Sequence, residues 1–158
     1  MGWGWEGGFW WGKCPLRGSQ QVSYALIPHT GLWDEARLSQ ESCCWNEPLL
    51  AQIVDGQTGS TAASRSLVSV SGKGVEIPTL LMQGRNLLVR LFNAEGDDGE
   101  CTVSLDVRPQ HVDMVELDGR VVRALEIRRA SGGRYEVKLA LPRFAIRTLR
   151  CELPPAAG

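Results

Sequence analysis

At 158 residues, 43% hydrophobic and 22% charged, the chain has the make-up of one globular domain with a real core and is short for two. Its formal net charge is −1 and its 17 Lys and Arg are scattered, which argues against the basic footprint of a nucleic-acid binder. No apolar run approaches the roughly 18 residues of a membrane-spanning helix, so neither nucleic acid nor membrane is expected as a partner.

In chain order, the first eleven residues, MGWGWEGGFWW, hold four of the six tryptophans. Glycines and Glu6 interrupt them and no basic start precedes an apolar core, so they do not read as a secretory leader. Residues 1–20 read as an irregular arm or a non-native start; a sugar-stacking platform is the sharper alternative. Residues 22–28 predict a strand that Pro28 ends, because proline cannot donate to a continuing ladder. His29-Thr30-Gly31 is turn chemistry. Trp33, Ala36, Arg37 and Gln40 have helical spacing within residues 32–42, and Asp34 and Glu35 suit a helix N-terminus. Asn46 and Pro48 stop that helix, and the small polar residues 55–65 form a long loop.

From there the period changes to two. Leu67, Val70, Val75, Ile77, Leu80 and Leu81 belong to two short strands broken at residues 71–74. The apolar run 87–92 predicts a strand buried on both faces, and residues 94–99 a loop or hairpin connection. Val103, Leu105 and Val107 alternate inward along residues 102–108. Residues 112–117 lead into Asp118-Gly119, a strong hairpin signal, with 121–127 as the return strand. After Ser131-Gly132-Gly133, Tyr135, Val137, Leu139 and Leu141 line one strand face. Pro142 breaks the run, residues 144–153 form the last strand, and 154–158 should fray. Short strands at regular intervals argue a mainly β fold, an antiparallel β-sandwich with one short helix near the N-terminus. The domain plan is an arm at 1–20, a single sandwich at 21–153 and a tail at 154–158.

Chemistry is sparse. Cys14, Cys43, Cys44, Cys101 and Cys151 include no C-x-x-C pair, and read as buried or idle thiols of a reducing cytoplasm. There is no G-x-S-x-G elbow, and Ser71-Gly72-Lys73-Gly74 is too short for a phosphate loop. Asp97-Asp98 sits in a Gly-flanked turn and Asp34-Glu35 fits helix-start charge, so neither pair reads as tuned for acid-base work. His29 and His111 are the only histidines, whereas a catalytic zinc takes three converging protein ligands. His111 with Asp113, two apart on one strand face, is at most a weak surface metal site. No cofactor is expected in this chain, and no residue is assigned a catalytic or metal-ligating role.

The segment SYALIPHTGLWDEARLSQESCCWNEPLL, residues 23–50, resembles the opening of the C-terminal β-sandwich region of glycoside hydrolase family 38, the retaining, zinc-dependent α-mannosidases. The matching positions are Tyr24, Ala25, Leu26, Pro28, His29, Gly31, Trp33, Asn46, Pro48 and Leu49. NLLVRLFNAEG at residues 86–96 and LALPRFAIRTLRCEL at 139–153 continue it, so the resemblance spans about residues 21–153. Leu32, Cys43-Cys44 and residues 76–83 depart from the family pattern. The resemblance implies a non-catalytic piece of a larger mannosidase whose nucleophile and zinc ligands lie upstream, with zinc in the full-length parent. That upstream catalytic domain would be the partner, and mannose-containing glycans a second one. His29, Trp33, Asn46, Arg147 and Arg150 are the candidate contacts across the seam or at the pocket rim; for His29 a purely structural, turn-fixing role stays open. Alternatively the chain is a stand-alone carbohydrate-binding module using Trp33 and Trp45, or a docking module with a basic strand face at Arg123, Arg128, Arg129, Arg134, Lys138, Arg143, Arg147 and Arg150.

Overall fold

The computed structural model describes residues 18–47, 49–56, 59, 62–94 and 99–155. Among them one helix, α1 (Leu38–Asn46), precedes nine strands: β1 (Val68–Ser71), β2 (Val75–Gln83), β3 (Asn86–Asn93), β4 (Gly99–Leu105), β5 (His111–Val115), β6 (Val121–Ala124), β7 (Ile127–Arg129), β8 (Tyr135–Leu141) and β9 (Ile146–Glu152). They form two antiparallel sheets, a four-stranded one in the order β1-β4-β8-β7 and a five-stranded one in the order β2-β3-β9-β5-β6. The fold is the mainly β sandwich that the alternating pattern predicts.

The inner faces meet in one core. β3 gives Val89 and Leu91, β4 gives Cys101, Val103 and Leu105, and β5 gives Val112. β8 adds Val137, Leu139 and Leu141, and β9 adds Leu149 and Cys151. The register explains the set: Val89 lies opposite Leu149 and Val103 opposite Val137, so alternate residues of paired strands present their side chains to the same face.

Five expectations need correction. Residues 22–28 form no strand; their side chains are exposed and they have no ladder partner among the described residues. The helix begins at Leu38 rather than near Leu32, because Trp33–Arg37 is a turn that ends with Arg37 in a left-handed conformation, φ 52°. A helix cannot propagate through such a residue. β3 is not buried on both faces: Val89, Leu91 and Asn93 are buried, while the residues between them are half-covered. Val107 lies past the end of β4 and is exposed. The return strand 121–127 divides, β6 pairing with β5 and β7 with β8, so the chain changes sheets between Ala124 and Ile127. Residues 1–17, Pro48, 57–58, 60–61, 95–98 and 156–158 lie outside the described residues, so the Trp-rich start, part of the 55–65 loop, the Asp97-Asp98 turn and the end of the tail carry no structural account.

Candidate functional site

Three places gather functional-type side chains. The first is the outer face of the five-stranded sheet. Asp113 lies opposite Arg150, and the Asp113 carboxylate accepts from Arg150 Nη2 at 2.8 Å. Its other oxygen lies 2.7 Å from His111 Nε2. Beside this row Arg90 Nε donates to Thr148 Oγ1 at 3.4 Å. Asp113 and Thr148 are buried although they face outward, since long arginine stems can cover their neighbours. Burial pushes the Asp113 carboxyl up, but the hydrogen bonds from Arg150 and His111 outweigh it and hold it below the ordinary carboxylate range. Both Asp113 oxygens are thus engaged, which opposes the metal reading of His111 with Asp113.

The second place is one end of the sandwich, where the segment before α1 is clamped. Trp33 stacks on Phe144 with ring centroids 6.0 Å apart and planes 18° apart. The Arg143 guanidinium lies 4.9 Å from the Phe144 ring centre and 5.8 Å from that of Trp33, and reaches Asp34 at 3.7 Å. Phe144 belongs to the β8–β9 turn and has φ 58°, a conformation that costs a non-glycine residue about 1–2 kcal/mol. Buried Asn93 over-determines it. Phe144 N donates to Asn93 O at 2.9 Å and Asn93 N to Ala145 O at 3.1 Å, while Asn93 Nδ2 donates to Leu141 O at 3.1 Å.

The third is a cleft of about 720 Å³ between α1 and the start of β2, lined among others by Asp34, Arg37, Cys43, Glu47, Lys73 and Glu76. Glu76 accepts from Ser39 Oγ and from Cys43 Sγ, which fastens α1 to β2. Burial first, and then Glu76, pushes the Cys43 thiol above its ordinary value, while burial lifts Cys101 to about 11 and Cys151 to about 12. None of the three is activated toward the thiolate.

The sequence candidates scatter over these places. His29 lines a shallow depression with Ile27, Pro28, Thr30, Glu35, Ala36 and Glu41, all from the N-terminal segment. Trp33 is in the clamp. Asn46 ends α1 and its Nδ2 donates back to Ser42 O at 2.9 Å. Arg150 belongs to the outer-face row, whereas Arg147 lies opposite core residue Leu91 and its Nη1 donates to Ile146 O at 3.0 Å. Three positions apart on one strand, the two arginines leave from opposite faces, so no single surface carries both. Nor is Arg134 part of a solvated basic face: its guanidinium donates to Ser104 O and Ser66 O, each at 2.8 Å, tying the residue before β8 to β4 and to the approach to β1. Sequence reasoning missed Asn93, Arg143 and Phe144 as a unit, because nothing local marks a left-handed phenylalanine.

Chemically the arrangement holds surfaces together rather than activating a nucleophile. The carboxyls that their surroundings clearly shift, Asp113, Asp118 and Glu126, are all moved downward, opposite to what a general acid requires. No three His, Cys, Asp or Glu among the described residues converge to hold a metal.

Two facing antiparallel sheets with a clamped N-terminal segment define a β-sandwich module. Residues 81–149 match the model of the Glycosyl hydrolases family 38 C-terminal beta sandwich domain. Alpha-mannosidase 2C1 of Homo sapiens is 31% identical over 105 residues, 63% of this chain and 10% of that protein. Its Mus musculus counterpart is 30% identical over the same length and shares. The chain thus spans about a tenth of the length of the curated relatives it matches.

Proposed function

We propose that this chain acts as the non-catalytic C-terminal β-sandwich of a family-38-type retaining α-mannosidase. It supports a zinc-dependent catalytic domain, carried elsewhere, in the hydrolysis of terminal α-mannosides. The observation that carries the reading is the match of residues 81–149 to the family's C-terminal sandwich. A second feature supports it. Leu49, Leu50 and Ile53 are 99–101% exposed, more than any other large hydrophobic side chain among the described residues. Apolar side chains left wholly in water at one place are the mark of a surface that another body covers. Their order, two adjacent leucines and then Ile53-Val54, has no strand period and suits a packing seam. Free thiols at Cys43, Cys44, Cys101 and Cys151 suit a reducing compartment such as the cytoplasm.

Trp33 and Trp45 keep a weaker sugar-binding reading alive, since both are about half exposed. In the clamp, however, Trp33 already spends a face on Phe144.

The test is to incubate the purified chain with an aryl α-mannoside, with and without a zinc chelator. No turnover is expected in either case. Turnover that the chelator abolishes would sink the accessory reading. A tryptophan-fluorescence titration with mannose to about 10 mM, where millimolar affinity registers, is expected to stay flat.

A further inference from the structure

A sandwich has four sheet edges, and three here are protected. β7 is three residues long and carries Arg128 and Arg129; β6 is four residues long with Arg123; β1 is four residues, half of them serine. Short or charged edges resist pairing with further strands. β2 is different. Its first half is broken by Pro78 and a register shift between Glu76 and Thr79, the irregularity expected of a proline on an edge. Its second half, Leu80, Leu81 and Met82, is regularly paired to β3 on one side and open on the other, uncharged and about half exposed. It flanks an apolar groove of about 270 Å³ lined by residues that include Leu67, Val68, Leu80, Met82, Leu87 and Val107.

The same chain holds a segment with the alternation of a strand and no sheet to join. Val22, Tyr24 and Leu26 alternate with Ser23 and Ala25, are 79–86% exposed, and have no ladder partner among the described residues. The chain's path sets their direction. Trp33 and Asp34 are pinned at the β8–β9 turn, and Ser39 bonds Glu76 at the start of β2. Residue 28 is therefore tethered near the Glu76 end by a linker of about five residues, which spans up to roughly 17 Å. An antiparallel pairing, the sense of every ladder among the described residues, would carry residues 28 back to 22 from the Glu76 end toward Gln83.

We propose that residues 22–27 close onto the free half of β2 as an additional antiparallel strand, with Val22, Tyr24 and Leu26 over the apolar groove and Ser23 and Ala25 on the outer face. Pro28 ends the ladder where Pro78 and the register shift already interrupt β2. A tether this short raises the local concentration of the segment to the millimolar range, which favours the chain's own strand over one from a second copy. The proposal is independent of the mannosidase reading.

Hydrogen exchange resolved to single amides tests it, with mass by light scattering on the same samples. Amides of residues 22–27 and the open-side amides of residues 80–83 should exchange at least tenfold slower than an unstructured chain, at monomer mass. In a Tyr24→Lys, Leu26→Lys variant both sets should lose that protection while Val89 and Leu149 keep theirs. Unprotected exchange at residues 22–27 in the unaltered chain overturns the proposal. So does protection that appears only with doubled mass, which would assign the strand to a second copy.

Discussion

Residues 18–67 and residues 89–151 are both rich in apolar side chains, yet they end in opposite conditions. No described residue before Val89 is buried, whereas from Val89 onward the strands bury eleven aliphatic or thiol side chains in one cluster. Period alone does not separate them. Val22, Tyr24 and Leu26 alternate as regularly as Cys101, Val103 and Leu105, but only the second set has partners across a ladder and across the sandwich. Alternation is a capacity for burial; a facing strand makes it real.

The contrast is broken most strongly by cutting into the second region. Leu91→Ala or Leu149→Ala should lower unfolding stability by about 2–5 kcal/mol, measured by urea titration, because each leaves a cavity between fully packed sheets. Leu49→Ala, fully exposed, should stay within about 0.5 kcal/mol. Asn93→Ala should come next, at about 1–3 kcal/mol, since it strands the Leu141 carbonyl in a buried site.

Asp113 sharpens the comparison through pH. Its folded pKa is depressed, so its contribution is present above the ordinary carboxylate value of about 3.9 and is lost as pH falls below that through the folded value. Urea midpoints should therefore drop as pH falls below about 4, and Asp113→Asn should flatten that part of the profile. The same variant lowers the midpoint at pH 7, because Arg150 then loses a charged partner.

The smallest expected effect is at the joint between the two regions. Trp33→Ala removes an aromatic pair worth about 0.5–1.5 kcal/mol beyond its area. It should expose residues 33–47 to limited proteolysis while the sandwich's urea midpoint barely moves. An unchanged digestion pattern would mean that Ser39 and Cys43 on Glu76 hold α1 by themselves.

Much of the sandwich was legible because local chemistry and long-range pairing agree there. Asp118-Gly119 fixes the β5–β6 hairpin, and Gly132 and Gly133, both at positive φ, turn the chain into β8. What stayed illegible depends on partners distant in sequence. The split of residues 121–127 has no marker, because Leu125 and Glu126 continue an ordinary strand composition while the chain changes sheets. The left-handed Arg37 that delays α1 has no glycine or asparagine to announce it. At the candidate sites, His111 beside Asp113 could be read two residues apart, but Arg150 joins them only through the β5–β9 register. Arg147 and Arg150 looked like one surface in a linear reading, and the pleat of β9 sends them to two.

β9 is the last strand in chain order and lies in the middle of the five-stranded sheet, between β3 and β5. A chain emerging from the ribosome can form the β2–β3 and β5–β6 hairpins early, but they stay unjoined until the residues at 146–152 arrive. Pairing Asn86 with Glu152 closes a loop of more than sixty residues, the kind of non-local step that slows folding. Until then both hairpins expose edges that another nascent chain can occupy, so the vulnerable interval for misassembly ends only when the final strand is inserted.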